Sequence, residues 1–375
     1  MLTPDYLLHI SEGAEEISAQ MHTDILKRIV SRIQARQKRG DENVLAPIDK
    51  WQIEVLQDAG YLRNDIAEEI AKYTPLQADE IKQAIEDAGV RTMAYDDRIY
   101  QQAGIIDTKQ PLSPYMIRLM QRNYEATFHD WENYTGTMAD AAQDWFVRAM
   151  DDLYNKVSIG SVGYIQAFYE AIDDLAKTGL TINYPSGHRD TIEAATLRCV
   201  RTGVSQATAQ IQEQRMNELG IDLVLVSSHQ GARPSHQVWQ GKVYSRSGKD
   251  SKYPDFVSNT HYGSGDGLCG WNCRHQFMPY YEGMYNPFER YDNKENRELY
   301  KATQTQRSME RAIRKTKRNV EVLKSAQDGD PDHADQYRDR LALLRGRLRN
   351  QQKEYYAFCD KKDLRPLPER MRIAK

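Results

Sequence analysis

From Ile10 onward, Ile17, Met21, Ile25, Ile29 and Ile33 return at steps of three or four residues, or twice that, with polar residues filling the gaps. A repeat at that interval lays one apolar stripe along one side of a helix, and it does not fit a strand, whose faces alternate every second residue. Residues 36–41 (R-Q-K-R-G-D) break the stripe, and Gly40 is the expected stop. The start of the chain is therefore committed to helix.

The same logic extends along most of the sequence. Trp51, Val55 and Leu56 mark a short helix before Ala59-Gly60. Thr74-Pro75 reads as the cap and first turn of another, with Gln77 at capping-box spacing and Ile81 and Ile85 on its buried face. Ser113-Pro114 opens a long helical region, in which Met116, Met120, Tyr124 and Phe128 fall at i,i+4 steps. Trp131, Trp145, Phe146, Tyr164 and Phe168 extend its apolar face to about residue 180. Tyr184-Pro185-Ser186-Gly187 is a turn, and residues 190–219 are helical up to Gly220.

Character then changes. Residues 221–227 are rich in Val, Leu and Ile and read as a strand, and Lys242-Val243-Tyr244 as a second short one. The loops around them are dense in Gly, Ser, Pro and His. Beyond residue 290, Met309, Ile313, Val320 and Leu323 mark one helix and Tyr337, Leu341, Leu344 and Leu348 the next, with Asp328-Gly329-Asp330-Pro331 as the turn. The expected fold is mainly α with a small α+β module. It comprises a helical N-terminal region (1–110), a helical plus α+β region with short strands and long loops (111–290), and a C-terminal basic αα-hairpin (291–375).

Bulk properties narrow the function. A mean hydropathy of −0.76 with 28% charged residues describes the wide solvated surface of long helices. The first ten residues lack a basic stretch followed by an apolar core, and the apolar run I-D-L-V-L-V is far too short to span a bilayer. Neither a secretory leader nor a membrane role is expected. The overall charge of −3 hides an asymmetry, since residues 301–375 hold 20 Lys and Arg against 11 Asp and Glu. Arg311, Arg314, Lys315, Lys317, Arg318, Arg345, Arg347 and Arg349 are the candidates to meet DNA phosphates or an acidic partner. Interleaving with acids, rather than massing, favours a hairpin that only needs solvated faces.

Four cysteines in 375 residues are too few for a disulfide scaffold. Cys269 and Cys273 instead lie close to His275, with His229, His236 and His261 upstream. Four of these six side chains would make a tetrahedral zinc site if the two loops met; otherwise the histidines bond loop backbone and the cysteines pack as small buried residues. Catalysis has thinner support. His236 with Ser235, or His229 with Asp266, would be acid–base pairs, and the run G-S-G-D-G would cradle a phosphate only at a helix start. No nucleophile elbow, Walker loop or H-E-x-x-H motif is present.

Three motifs in order carry a family resemblance: Arg233-Pro234-Ser235-His236, Gly241-Lys242-Val243 and Asn272-Cys273-Arg274. With Q-R-S-M-E-R-A-I-R-K at residues 306–315, the chain resembles the phage Mu F-like head-morphogenesis domain, and more closely the phage minor capsid protein 2 family. Relatives commonly end the distal element in Cys-Arg-Cys, where this chain has Cys273-Arg274-His275. The resemblance implies a structural, non-enzymatic virion protein, present in a few copies near the portal vertex of a tailed-phage head. It would be assembled in the host cytoplasm, with the portal protein, capsid subunits and packaged double-stranded DNA as neighbours. Two rival expectations are a metal-dependent or toxin-like enzyme of nuclease type on the same module, and a general DNA-binding protein.

Overall fold

The computed structural model describes residues 1–40 and 46–373; Asp41, the last residue of the sequence break, and Lys375 lie outside the described residues. Among these, helix dominates and the five strands are two to four residues long, which is the mainly α class with a small α+β part that the sequence predicts. The helices are α1 (Pro4–His9), α2 (Glu12–Gln37), α3 (Ile48–Gln102), α4 (Pro114–Ser158), α5 (Tyr164–Thr178), α6 (Ile192–Leu219), α7 (Phe256–Thr260), α8 (Asn293–Gly329) and α9 (Ala334–Lys361). The strands are β1 (Ile182–Asn183), β2 (Arg189–Asp190), β3 (Leu223–Val226), β4 (Val243–Ser245) and β5 (Phe277–Pro279).

Local signals mostly decide where helices begin and end. In α2, Met21, Ile25, Ile29 and Ile33 are fully buried, and Gly40 beyond its last turn takes a left-handed φ of +89°. Ser113 caps α4 by accepting the Met116 N–H on Oγ at 3.3 Å, with Pro114 in the first turn. Gly220 (φ +68°) ends α6, where the Ile221 N–H returns to the Met216 carbonyl at 2.8 Å.

One expectation is overturned. The two short helices read around residues 51–60 and 74–85 are parts of α3, a single helix of 55 residues that runs through Gly60 and Pro75. Thr74 caps nothing; its hydroxyl bonds back to the Ile70 carbonyl at 3.0 Å. An internal proline costs about 3 kcal/mol, but buried side chains line the helix on both sides of it. Trp51, Val55, Ala59, Leu62 and Ile66 precede it, and Ile81, Ala84, Ile85 and Ala88 follow. Burying even two or three such groups, at roughly 1.5–3 kcal/mol each, outweighs the lost backbone bond.

Contacts group the chain into two units, one of residues 1–14, 77–131 and 196–305, the other of residues 15–76, 132–195 and 306–375. This grouping cuts across the consecutive ranges 1–110, 111–290 and 291–375. A 55-residue helix is about 80 Å long, well beyond the diameter of a small domain, so chain order and spatial grouping part company.

The first unit carries the three-stranded antiparallel sheet, in the order β4-β3-β5. Its central strand obeys the period of two: Val224 and Val226 enter a core with Ala209, Met216, Tyr244, Phe256 and Phe277, while Leu225 packs with Ile99 and Met278. Strand β5, which the sequence reading lacks, pairs Phe277 with Val226. The second unit contains the β1–β2 hairpin, closed by the predicted turn at 184–187, and the hairpin of α9 with the part of α8 from Gln306 onward, joined through a short 3-10 turn at Pro331–His333. Ile313, Tyr355, Cys359 and Met371 form a small core there.

Candidate functional site

The site lies in the first unit, where the loop that leaves β3 meets the loop that leads into β5. Ser227 extends the pairing beyond β3, its N–H donating to the Gln276 carbonyl at 2.8 Å and its Oγ accepting the Gln276 N–H at 2.9 Å. The Arg-Pro-Ser-His step that follows is a β-turn closed by the His236 N–H on the Arg233 carbonyl at 2.8 Å. Pro234 occupies the position where its fixed φ suits such a turn, and stays at the surface while His236 turns inward to 2% exposure. Asn296, fully buried at the start of α8, clamps this loop: its Oδ1 accepts the Ala232 N–H (3.0 Å) and its Nδ2 donates to the Ala232 carbonyl (2.9 Å) and Gln237 (3.0 Å). Gly241, at φ +68°, sends its N–H back to the Val226 carbonyl, and Lys242 donates Nζ to the Val238 carbonyl, so Gly-Lys-Val starts β4.

The second loop is wound tightly enough that side chains are excluded from parts of it. A Cβ on Gly267 would stand 1.9 Å from the His261 carbonyl oxygen, and one on Gly270 2.4 Å from that of Gly265. Cys269 (φ +59°) and Asn272 (φ +55°) both take left-handed backbone, which reverses the chain twice and carries Cys273 inward. Asn tolerates that conformation better than most residues, which accounts for its place in Asn-Cys-Arg. Arg201 of α6 reaches Asn272 Oδ1 at 3.5 Å while also donating to the Leu7 carbonyl at 2.8 Å.

These two loops bring His236, Cys273 and His275 together, all buried, with their ligand atoms within 4.8 Å of one another. Cys273 Sγ is 3.7 Å from His236 Nδ1 and 3.7 Å from His275 Nδ1. Each ring commits its other nitrogen elsewhere. His236 Nε2 donates to the Asp266 backbone oxygen at 2.8 Å, and His275 Nε2 to Gln240 Oε1 at 3.0 Å. The same Gln240 oxygen accepts the His229 N–H at 3.1 Å, which fixes the amide orientation. Trp239 closes the cluster edge-on to His275, with ring centroids 4.8 Å apart. Burial lowers His236 to about 4 and drives His275 well below its ordinary value, so both imidazoles are neutral near pH 7. Burial also raises both cysteine thiols, Cys269 furthest.

The remaining predicted ligands stand beside this triad. His229 stacks on the His275 ring at 4.3 Å and turns Nδ1 to the Gln230 carbonyl at 3.1 Å. Cys269 is buried in the apolar core, with Sγ 3.8 Å from the His275 carbonyl. His261 is exposed at the end of α7. Arg233 donates to the Trp271 carbonyl at 2.9 Å, and Arg274 is half-buried beside the cluster. Sequence reasoning missed Gln240, Asn296, Trp239 and the Asp266 carbonyl, because orienting groups carry no spacing rule. Of the groups considered as acid–base pairs, Ser235 is exposed while the His236 ring faces the Asp266 backbone oxygen and Cys273, and His229 turns Nδ1 to the Gln230 carbonyl while the Asp266 carboxylate accepts the Ser264 hydroxyl at 2.8 Å.

The basic residues in the second unit divide in two. Arg311, Lys315, Arg345, Arg347 and Arg349 are exposed, with no ion pair among the described residues. Arg314, Lys317 and Arg318 face inward, against expectation: Arg314 pairs with Glu15, Lys317 donates to the Met371 carbonyl at 2.7 Å, and Arg318 pairs with buried Glu193. Their positions on α8 face partners within the unit, so helix geometry rather than charge decides which are free. Gln306 and Glu310, one turn apart on α8, likewise hold the C-terminal segment through the Arg365 carbonyl, Tyr355 and Arg370.

A family model described as "Phage minor capsid protein 2" matches residues 2–352. A protein described as "Structural protein" from Lactococcus phage LL-H is 26% identical over 288 residues, covering 73% of this chain and 77% of that protein. No solved structure gives a significant match. No helix among the described residues is long and apolar enough to cross a membrane.

Proposed function

The chain belongs to the phage minor capsid protein 2 family, and from that premise we propose that it is built into the phage head near the portal vertex, touching portal and capsid subunits. The observation that carries this is the family match across 2–352, which spans both units rather than one motif. The site geometry supports a structural part for the family motifs. Arg-Pro-x-His is a turn, Gly-Lys-Val starts a strand, and Asn-Cys-Arg reverses a loop, each serving to hold two loops against a sheet. His236 and Cys273 are buried among protein groups rather than open to a substrate. We assign the chain no turnover, and take assembly to occur in the host cytoplasm.

The exposed arginines of the hairpin are the part that would face packaged DNA, through phosphates rather than bases, since no base-reading element accompanies them. The test is a nonsense mutation in the producing phage with mass spectrometry of purified particles. We expect the chain in wild-type heads at portal-like rather than capsid-like copy number. Its loss should leave heads that are absent or do not retain DNA. Infectious, DNA-filled particles lacking the chain would sink the proposal.

A further inference from the structure

Proton bookkeeping in the loop cluster exposes an imbalance. Both Nε2 atoms must carry hydrogen, since each faces an oxygen that can only accept. Both Nδ1 atoms are therefore bare lone pairs, and both point at the Cys273 sulfur. A thiol has one proton and satisfies one of them. The other is a buried acceptor facing sulfur with nothing to accept, and such a group is destabilising. Protonating a ring is no remedy, because it would put a charge on a side chain that is only 1–2% exposed.

We propose that His236 Nδ1, Cys273 Sγ and His275 Nδ1 bind a zinc ion that staples the 228–240 loop to the 269–275 loop. Zinc lies about 2.3 Å from sulfur and about 2.0–2.1 Å from nitrogen, so tetrahedral angles put sulfur and nitrogen roughly 3.5 Å apart. Both 3.7 Å separations here are close to that edge. Each histidine also has the partner that zinc-bound imidazoles use: an oxygen accepting the far ring N–H, from Asp266 in one case and Gln240 in the other. Binding replaces the S–H bond with S–Zn and releases the proton to solvent. Three protein ligands leave the fourth corner to a water molecule.

The experiment uses the full-length chain purified with zinc and dialysed against metal-free buffer. Stoichiometric zinc is expected, and exchange for cobalt(II) should give tetrahedral d–d absorption with a thiolate-to-cobalt charge-transfer band. Cys273→Ser should lose that band, whereas Cys359→Ser, in the other unit, should keep it. Gln240→Leu retains all three ligands and should weaken zinc affinity about 10–100-fold. Wild-type protein that holds no stoichiometric zinc and gives no charge-transfer band overturns the proposal, without appeal to any variant's folding. So does an unchanged band in Cys273→Ser.

Discussion

Asn272 shows how much one residue can fix. Its φ of +55° lies where a side chain crowds the backbone, and it stands between Cys269, also left-handed, and Cys273, which must point inward. A β-branched residue there pays a penalty of about 1–2 kcal/mol, whereas glycine is free of it. Asn272→Val should therefore lower stability by about that much, and Asn272→Gly should lie clearly closer to wild type. Both lose the contact from Arg201, so their difference isolates the backbone term. Urea unfolding midpoints measure it, and equal losses in the two variants would mean the side-chain bond matters instead. The motif residues were legible in the sequence because turns need particular residue types at fixed offsets. Gln240 and Asn296 were not, since a buried amide that orients its neighbours looks like any other glutamine or asparagine until the loops are folded.

At the scale of elements, the second unit holds a buried charge cluster with no sequence signature, drawn from α2, α6 and α8. His22 Nε2 accepts the Leu180 N–H at 3.2 Å and its Nδ1 meets Glu193 at 3.1 Å; Glu193 also pairs with Arg318, and Arg314 with Glu15. Burial alone would raise the Glu193 carboxyl, yet Arg318 and His22 hold it well below 4.5. Arg318→Ala leaves that buried carboxylate without its guanidinium, held only by His22, and should cost about 3–5 kcal/mol; a loss under about 1 kcal/mol, as for an exposed pair, would show that Glu193 finds water. The pH dependence follows in sign. Burial depresses His22 below 6.5, so its contribution is complete above that value and shrinks as acid loads the unfolded chain first. His236 and His275 add to the same limb, and Glu193 extends the loss below 4.5. Unfolding midpoints across that range should fall, and less steeply in His22→Gln. The existence of the long helices was legible, because a 3.6-residue stripe is local information, whereas the short α1 and α7 carry no such stripe and were not read. The unity of α3 was not legible either: Gly60 and Pro75 are local stop signals, and only the burial on both sides of them shows that the helix continues.

For the whole molecule, the positive excess at the C-terminal end divides by facing, and the fold separates the cations residue by residue into inward and exposed sets. The eight candidate cations stood alike at the level of sequence, since charge carries no facing until the helices pack. Arg318 and Arg314 are consumed by Glu193 and Glu15, while Arg311 and Lys315 lie one turn apart on α8 and Arg345 and Arg349 one turn apart on α9, all exposed. Each phosphate contact adds about 0.9 to the slope of log affinity against log salt on duplex DNA. If the α9 pair contacts phosphates, Arg345→Glu with Arg349→Glu should weaken binding at every duplex sequence alike and make that slope shallower by about 2. Fluorescence anisotropy with two unrelated duplexes across a salt series reads both effects. Loss confined to one duplex would mean bases are read, and an unchanged slope would assign this face to an acidic protein neighbour in the head. The inward pair offers the contrast: Arg318→Ala should disturb stability before it disturbs any salt dependence, because its charge never reaches the surface that DNA would meet.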